Sequence, residues 1–261
     1  MIDVPTAQGR LRSDRCLIMG ILNATPDSFS DGGRLDAEGA SAMAARLIEE
    51  GADILDVGGE STRPGHALVS IDDELDRVLP VIEAIRDVDA QVPISIDTSK
   101  WGVAEAALDV GASFVNDVDG LRDPSMARLV AKRGVAAVVM RREPCRGPIV
   151  QAARNQLHRH VAFAMAHGVP KGHLVLDPGL GFGARPGPDV AQNLALIDGL
   201  DGLGASPVLI GASRKRFVAA WGEAKGLDRT QASVAVAVRA RDAGAAIVRV
   251  HDVAATVEAF A

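Results

Sequence analysis

Polar residues that could do chemistry stand at the ends of short apolar runs throughout the 261-residue chain. In chain order, these runs end at Asn23, Asp56, Asp97, Asn116, Met140, Asp177, Ser213 with Lys215, and Arg249 with His251. A buried polar group without a partner costs about 1–3 kcal/mol, so positions needed only for packing would carry apolar side chains. The pattern therefore predicts that these residues share a site for a polar ligand.

Arg249, His251 and Lys215 predict an anion-binding site. Arg249 and His251 are two residues apart on one predicted strand, so their side chains point to the same face. Arginine offers a planar fork of donors, and histidine adds another. Lys215 follows the neighbouring apolar run, so three donors on adjacent strand ends favour an anion such as phosphate.

Asp97, Asn116 and Asp177 form a second group, in which acceptors dominate. Two carboxylates and an amide can hold the amino and ring N–H donors of a flat heterocycle. The same oxygens could instead bind a divalent metal ion. Lys215 favours the heterocycle, because an ammonium group suits a ring carbonyl and competes with a metal for the carboxylates. Three other carboxylates are interpreted as helix caps or locally paired groups: Asp56, Glu60 and Asp252.

Eight apolar runs predict the strands of a parallel sheet covered by helices: 16–23, 53–58, 93–98, 114–118, 136–140, 173–179, 207–213 and 246–253. Stretches with helical spacing separate them, and several end in a glycine suited to a left-handed C-cap: Gly51, Gly111, Gly134 and Gly244. The predicted fold class is α/β, a single (β/α)8 TIM barrel over residues 1–261, with the first dozen residues covering its N-terminal end. An open doubly wound sheet is the alternative, but its usual G-x-G-x-x-G turn is missing after the first strand.

Composition and charge narrow the function classes. Hydrophobic residues make up 48% and charged residues 24%, which excludes a disordered chain. The net charge of -6 argues against nucleic acid as a partner. No apolar run approaches the roughly 20 residues of a membrane span. Two cysteines and the lack of an apolar signal segment at the start predict a reduced, cytoplasmic setting.

Seven segments together resemble the dihydropteroate synthase family. They occur in family order from the first predicted strand to the last: MGILNATPDSFSDGG (19–33), DVGGESTRPG (56–65), SIDTSK (95–100), NDVDG (116–120), DPGLGFG (177–183), GASRKRF (211–217) and RVHDV (249–253). The resemblance implies a transferase of folate synthesis and a sulfonamide target. Its reaction would join 6-hydroxymethyl-7,8-dihydropterin diphosphate to 4-aminobenzoate, giving 7,8-dihydropteroate and diphosphate.

The same resemblance implies a role for individual residues. The metal ligand would be Asn23, helping to hold Mg²⁺ on the diphosphate. The diphosphate itself would be held by Thr62, Arg249, His251 and the backbone around Val250. The pterin would be bound by Asp97, Asn116, Asp177 and Lys215, with Met140 against its face. The 4-aminobenzoate pocket would be shaped by Phe29, Arg63, Pro64 and the SRKR segment. Asp97, Lys215, Arg249 and His251 would serve catalysis, and the family likeness implies a homodimer.

Two positions depart from the family pattern. Where the family commonly has Met-His-Met, this chain reads Met140-Arg141-Arg142, and after DPGLGFG it has Ala184 and Arg185 in place of a lysine. Two rival functions stay open. One is a catalytically weak or inactive paralogue that binds pterin, which these departures support, and the other is a pterin-dependent methyltransferase.

Overall fold

The computed structural model describes residues 2–24, 37–60, 69–144, 147–182 and 189–261. Within them the strands are β1 (Ile2–Thr6), β2 (Gly9–Ser13), β3 (Leu17–Asn23), β4 (Ile54–Gly58), β5 (Ile94–Asp97), β6 (Phe114–Asp117), β7 (Ala137–Met140), β8 (Leu174–Asp177), β9 (Leu209–Ile210) and β10 (Ile247–Val250). The α-helices in the same ranges are α1 (Ala37–Glu49), α2 (Ile71–Val88), α3 (Trp101–Asp109), α4 (Pro124–Arg133), α5 (Ile149–Ala166), α6 (Val190–Asp198), α7 (Arg216–Glu223), α8 (Arg229–Asp242) and α9 (Val253–Phe260).

The strands β3 to β10 form one parallel sheet that closes into a barrel. The hydrogen-bonded order is β8-β7-β6-β5-β4-β3-β10-β9, and a parallel bridge between Leu176 and Val208 joins its two ends. The Leu176 N–H also donates to the Pro207 carbonyl at 2.8 Å. Closure removes both sheet edges, and the helices cover the outside. The predicted (β/α)8 TIM barrel is therefore confirmed.

Glycines end several of the helices as predicted. Gly134 is the C-cap of α4 with φ of +67°, and its N–H donates to the Val130 carbonyl at 3.0 Å. Only glycine adopts this backbone without a steric cost, so the chain turns directly back into β7.

A hairpin of β1 and β2 closes the N-terminal end of the barrel. Ile2 and Val4 are buried against apolar residues at the starts of the barrel strands, among them Leu17, Ile54 and Phe114. The carbonyl of Pro5 also accepts the Ala136 N–H at 2.9 Å. The first dozen residues thus lie where the sequence predicts them, and ligands must enter at the opposite end.

The barrel interior changes from apolar to polar along each strand. Side chains alternate across a strand, so residues two apart share the inner face. An apolar residue near the start of a strand is followed two positions later by a polar one in the pairs Ile54 and Asp56, Phe114 and Asn116, Val175 and Asp177, and Ile247 and Arg249. The apolar layer supports the fold, and the polar layer faces the C-terminal mouth, where barrel enzymes place their chemistry.

No helix in the described ranges is long and apolar enough to span a bilayer.

Candidate active site

Arg249 lies at the centre of the polar layer. Its Nε donates to Asp56 Oδ2, and its Nη2 donates to Asp97 Oδ2 at 2.8 Å. The Asp56 side chain is fully buried and that of Asp97 is 8% exposed. Burial acts to lower the pKa of Arg249, but Asp56 and Asp97 outweigh it, so the pKa is raised and the guanidinium stays charged. The fork is therefore held rigidly, with Nη1 donating no hydrogen bond to the described residues.

Asn116 completes this network from the next strand. Its Nδ2 donates to both oxygens of Asp56, at 3.3 and 3.4 Å. Asn116 is paired in register with Asp97, so the two side chains stand side by side on the inner face. Asp56 thus binds the Arg249 guanidinium with one oxygen and the Asn116 amide with both.

Three acceptors in this layer are left over for a ligand. Among the described residues, Asp97 Oδ1 is buried without a partner and Asn116 Oδ1 accepts no hydrogen bond. Asp177 gives Oδ1 to the Gly179 N–H at 2.7 Å, which leaves Oδ2. Burial raises the pKa of both Asp97 and Asp177, because desolvation penalises the carboxylate. An unpaired buried acceptor such as Asp97 Oδ1 is costly, so this oxygen, with its two neighbours, favours a ligand rich in N–H donors.

Lys215 approaches the same layer from the connection between β9 and α7. Its Nζ donates to the Leu180 carbonyl at 2.6 Å and lies 4.9 Å from the centre of the Phe182 ring. Burial lowers the pKa of Lys215 to about 8, while Asp177 and Asp97 act in the opposite direction. The ammonium is thus within electrostatic reach of both carboxylates and can serve an oxygen of the ligand.

His251 lies beyond the end of β10, beside Ser213. The Ser213 hydroxyl accepts the His251 N–H at 3.2 Å and is 3.0 Å from His251 Nδ1. Burial lowers the pKa of His251 to about 4, and Arg214 and Arg249 add to the shift. His251 is therefore neutral near pH 7, and Nε2 makes no hydrogen bond within the described ranges.

The remaining predicted residues take different places. Met140 is buried at the end of β7, in register with Asp177, and Asn23 is exposed at the end of β3. The Val250 side chain points outward into the hydrophobic core between the strands and the helices, so only its backbone faces the mouth. Four predicted residues lie outside the described residues: Phe29, Thr62, Arg63 and Pro64.

A family model described as "Pterin binding enzyme" matches residues 19–251, which include most of β3 and the whole of the other seven barrel strands. The chain belongs to this family. Its relatives include dihydropteroate synthase from Bacillus subtilis, 43% identical over 247 residues that cover 92% of this chain and 85% of that protein. A solved structure of Burkholderia cenocepacia dihydropteroate synthase, complexed with 7,8-dihydropteroate, matches with a TM-score of 0.87. It is 40% identical over 99% of this chain and 94% of that one.

A further relative of the pterin-binding family is larger. The probable bifunctional folylpolyglutamate synthase/dihydropteroate synthase from Haloferax volcanii is 44% identical over 259 residues. These cover 95% of this chain and only 30% of that protein, so the chain spans less than a third of its length.

The local-pairing interpretation holds for Glu60 and Asp252, which pair with Lys100 and Arg214. Asp252 precedes α9, but its side chain makes no capping hydrogen bond. Asp56 is also paired, yet its partners place it inside the site of this pterin-binding protein. The period-two spacing from Ile54 could have identified it.

Sequence reasoning missed two further residues. Ser95 faces inward two residues before Asp97, and its buried Oγ has no partner among the described residues. Arg141 is only 2% exposed and contacts the segment that follows Asp177. The alternation of strand faces signals Ser95, whereas a buried arginine directly after a strand carries no sequence signal.

Proposed function

We propose that this chain is a dihydropteroate synthase: it condenses 6-hydroxymethyl-7,8-dihydropterin diphosphate with 4-aminobenzoate to give 7,8-dihydropteroate and diphosphate. The observation that carries the proposal is the row of leftover acceptors on Asp97, Asn116 and Asp177, next to two half-buried cations, Lys215 and Arg249. The activity of the related proteins supports it, and so does their match along the whole barrel.

The pterin ring fits the acceptors by its hydrogen-bonding pattern. Its amino group and ring N–H groups are donors, and Asp97, Asn116 and Asp177 offer acceptors only, once their other atoms are engaged by the protein. Lys215 would donate to the ring carbonyl. Met140 would pack against the ring face, as a polarisable thioether does against aromatic systems.

Arg249 and His251 would accept the diphosphate at the neighbouring strand ends. Nη1 of Arg249 and Nε2 of His251 make no hydrogen bonds within the described ranges, so both can donate to phosphate oxygens. Thr62 and the backbone around Val250 would add donors there. Barrels often bind phosphate after their seventh and eighth strands, which here are β9 and β10.

Mg²⁺ fits this site only as an ion held mainly by the substrate. The described residues contain no group of three or more His, Cys, Asp or Glu residues that could hold a metal ion. Mg²⁺ typically keeps several waters and uses one or two protein oxygens with substrate phosphates. The exposed amide oxygen of Asn23 would supply such a ligand. Bound there, Mg²⁺ would neutralise charge on the leaving diphosphate.

The reaction needs stabilisation of charge at both ends of one bond. The bond between the pterin methylene carbon and the diphosphate oxygen breaks, its electron pair leaves with the diphosphate, and the pterin carries a positive charge. Asp97 offsets that charge, and Arg249 supports the departing anion. The amino nitrogen of 4-aminobenzoate then bonds to the methylene carbon and loses a proton. No protein nucleophile is needed.

The 4-aminobenzoate pocket, where a sulfonamide would compete, would be shaped by Phe29, Arg63, Pro64 and the SRKR segment.

We also propose a homodimer, on the family likeness alone. Light scattering on the purified protein tests this proposal directly.

The activity itself is tested with purified protein and both substrates. Formation of 7,8-dihydropteroate, with release of one diphosphate per product, is the expected result. Tight binding of the pterin diphosphate without turnover would instead favour the inactive paralogue. Methyl transfer from a methylated pterin to a corrinoid would favour the methyltransferase.

A further inference from the structure

Arg141 is a buried cation that makes no ion pair with any described residue. It directly follows β7 and donates to four backbone carbonyls. Its Nε reaches Pro178 O at 2.8 Å, its Nη2 reaches Gly179 O at 3.3 Å and Phe182 O at 3.4 Å, and its Nη1 donates to Glu143 O. Burying a charge without a carboxylate partner is unfavourable unless its donors are satisfied. Here three of the four acceptors belong to one segment, the five residues 178–182.

The segment 178–182 is packed tightly against the Arg141 backbone as well. Gly179 has φ of +66°, and a Cβ built there would lie 1.9 Å from the Arg141 carbonyl oxygen. The Arg141 N–H also donates to the Asp177 carbonyl at 3.1 Å. A second anchor holds the far side, where Asn193 Oδ1 accepts the Gly181 N–H at 2.7 Å. The conformation of this segment is therefore set by its contacts, and Arg141 supplies half of the side-chain hydrogen bonds that it makes with described residues.

The same segment holds Lys215. The Leu180 carbonyl accepts the Lys215 ammonium at 2.6 Å, and the Phe182 ring lies 4.9 Å from it. Both groups flank carbonyls that Arg141 binds. The guanidinium makes no hydrogen bond to Lys215, so any influence on its placement passes through the segment.

We propose that Arg141 is a positioning residue for Lys215: it holds the segment 178–182 so that the Leu180 carbonyl and the Phe182 ring direct the ammonium towards the pterin. This inference rests on the proposed function. The charge of Arg141 also adds to the effect of burial in lowering the pKa of Lys215, and it favours the ionised form of Asp177.

The test compares Arg141→Met and Arg141→Lys with the wild type and with Arg128→Met, an exposed arginine on α4. The readouts are the Kd for pterin diphosphate, measured by calorimetry without 4-aminobenzoate, and the alkaline limb of the pH profile of kcat/KM. We expect Arg141→Met to weaken binding by about tenfold or more and to move the alkaline limb upwards, because an unheld and more hydrated lysine titrates closer to its ordinary pKa. Arg128→Met should match the wild type in both readouts.

Arg141→Lys keeps the buried charge but offers one ammonium to carbonyls spread over several residues. Partial recovery of affinity supports the proposal, and full recovery contradicts a role for the fork. This variant also serves if Arg141→Met does not fold, together with hydrogen exchange at the Gly179 and Gly181 amides, which should speed up. A lower melting temperature with wild-type affinity and an unmoved alkaline limb overturns the positioning role. If the wild-type protein itself neither binds pterin diphosphate nor turns over, the proposed function fails instead.

Discussion

Asp56→Asn tests the network that organises the site, because it removes a charge and keeps the volume. The wild-type carboxylate accepts from Arg249 Nε with one oxygen and from Asn116 Nδ2 with both. An asparagine at position 56 keeps one acceptor oxygen and replaces the other with an amino group that only donates. If it keeps Arg249, its own amino group meets that of Asn116, which must then turn over and present donors to the ligand.

The magnitude follows from the hydrogen bond that is lost. A hydrogen bond to a charged group contributes about 1.5–3 kcal/mol, and every 1.4 kcal/mol is a factor of ten in binding. We therefore expect Asp56→Asn to raise the Kd for pterin diphosphate, measured by calorimetry, by about 10- to 100-fold.

Asp198→Asn is the matched control. It also removes one carboxylate from an Asp–Arg pair, but Asp198 and Arg239 are 52% and 39% exposed on the surface. Exposed pairs contribute about 0–1 kcal/mol, and this one lies outside the site. Equal affinities of Asp56→Asn and Asp198→Asn for pterin diphosphate would show that the Asp56 network does not organise the site.

Four further outcomes are expected. The pH profile of kcat/KM should fall above about pH 8, where Lys215 of the free enzyme loses its proton. Lys215→Ala should lose most of the turnover and show no such fall. A wild-type profile without the fall would contradict a role for the Lys215 ammonium. Arg249→Ala should cut turnover severely, and unchanged steady-state kinetics would remove its role. Asp97→Asn should weaken pterin binding in a calorimetric titration, since the amide offers fewer acceptors; equal affinity would show that the carboxylate does not read the ring. The pKa of His251 is about 4 in the folded protein, against an ordinary value of 6.5, so the unfolded state binds more protons as the pH falls. The free energy of unfolding should therefore fall by about 2–3 kcal/mol between pH 6.5 and 4. Urea melts of His251→Gln should lack that part of the loss.

The barrel could be predicted because its strands are recognisable as apolar runs in the sequence. Each run is apolar on both faces, and such runs suit a parallel sheet under helices. The run 207–213 is the least accurate, since only Leu209–Ile210 is a strand. Pro207 has no N–H to give to a ladder, although its carbonyl still accepts from Leu176 and helps to close the ring.

The composition of the site could also be predicted, but not its internal pairing. Strand alternation brings Asp97, Asn116 and Arg249 to one inner face, as expected. The sequence predicts an anion-binding site of Arg249, His251 and Lys215, and it does not predict that two carboxylates, Asp56 and Asp97, bind Arg249. Which carboxylate a buried arginine chooses depends on distances between strands far apart in the chain, and no local spacing encodes them.

The burial of Arg141 could not be predicted from the sequence either. In the sequence it is a basic residue after a strand, where a solvent-exposed position is the ordinary expectation. Its burial follows from four carbonyls that converge on it, three of them from the segment after β8. Backbone acceptors leave no trace in residue types, so this contact becomes visible only with the fold.

A crystal structure of the protein with bound pterin diphosphate would show whether the leftover acceptors at the barrel mouth bind a pterin ring. The ring N–H groups should lie on Asp97, Asn116 and Asp177, the ring carbonyl at Lys215, and the diphosphate at Arg249. A pterin bound elsewhere, or a metal ion between Asp97 and Asp177 in its place, would show that these acceptors serve another ligand.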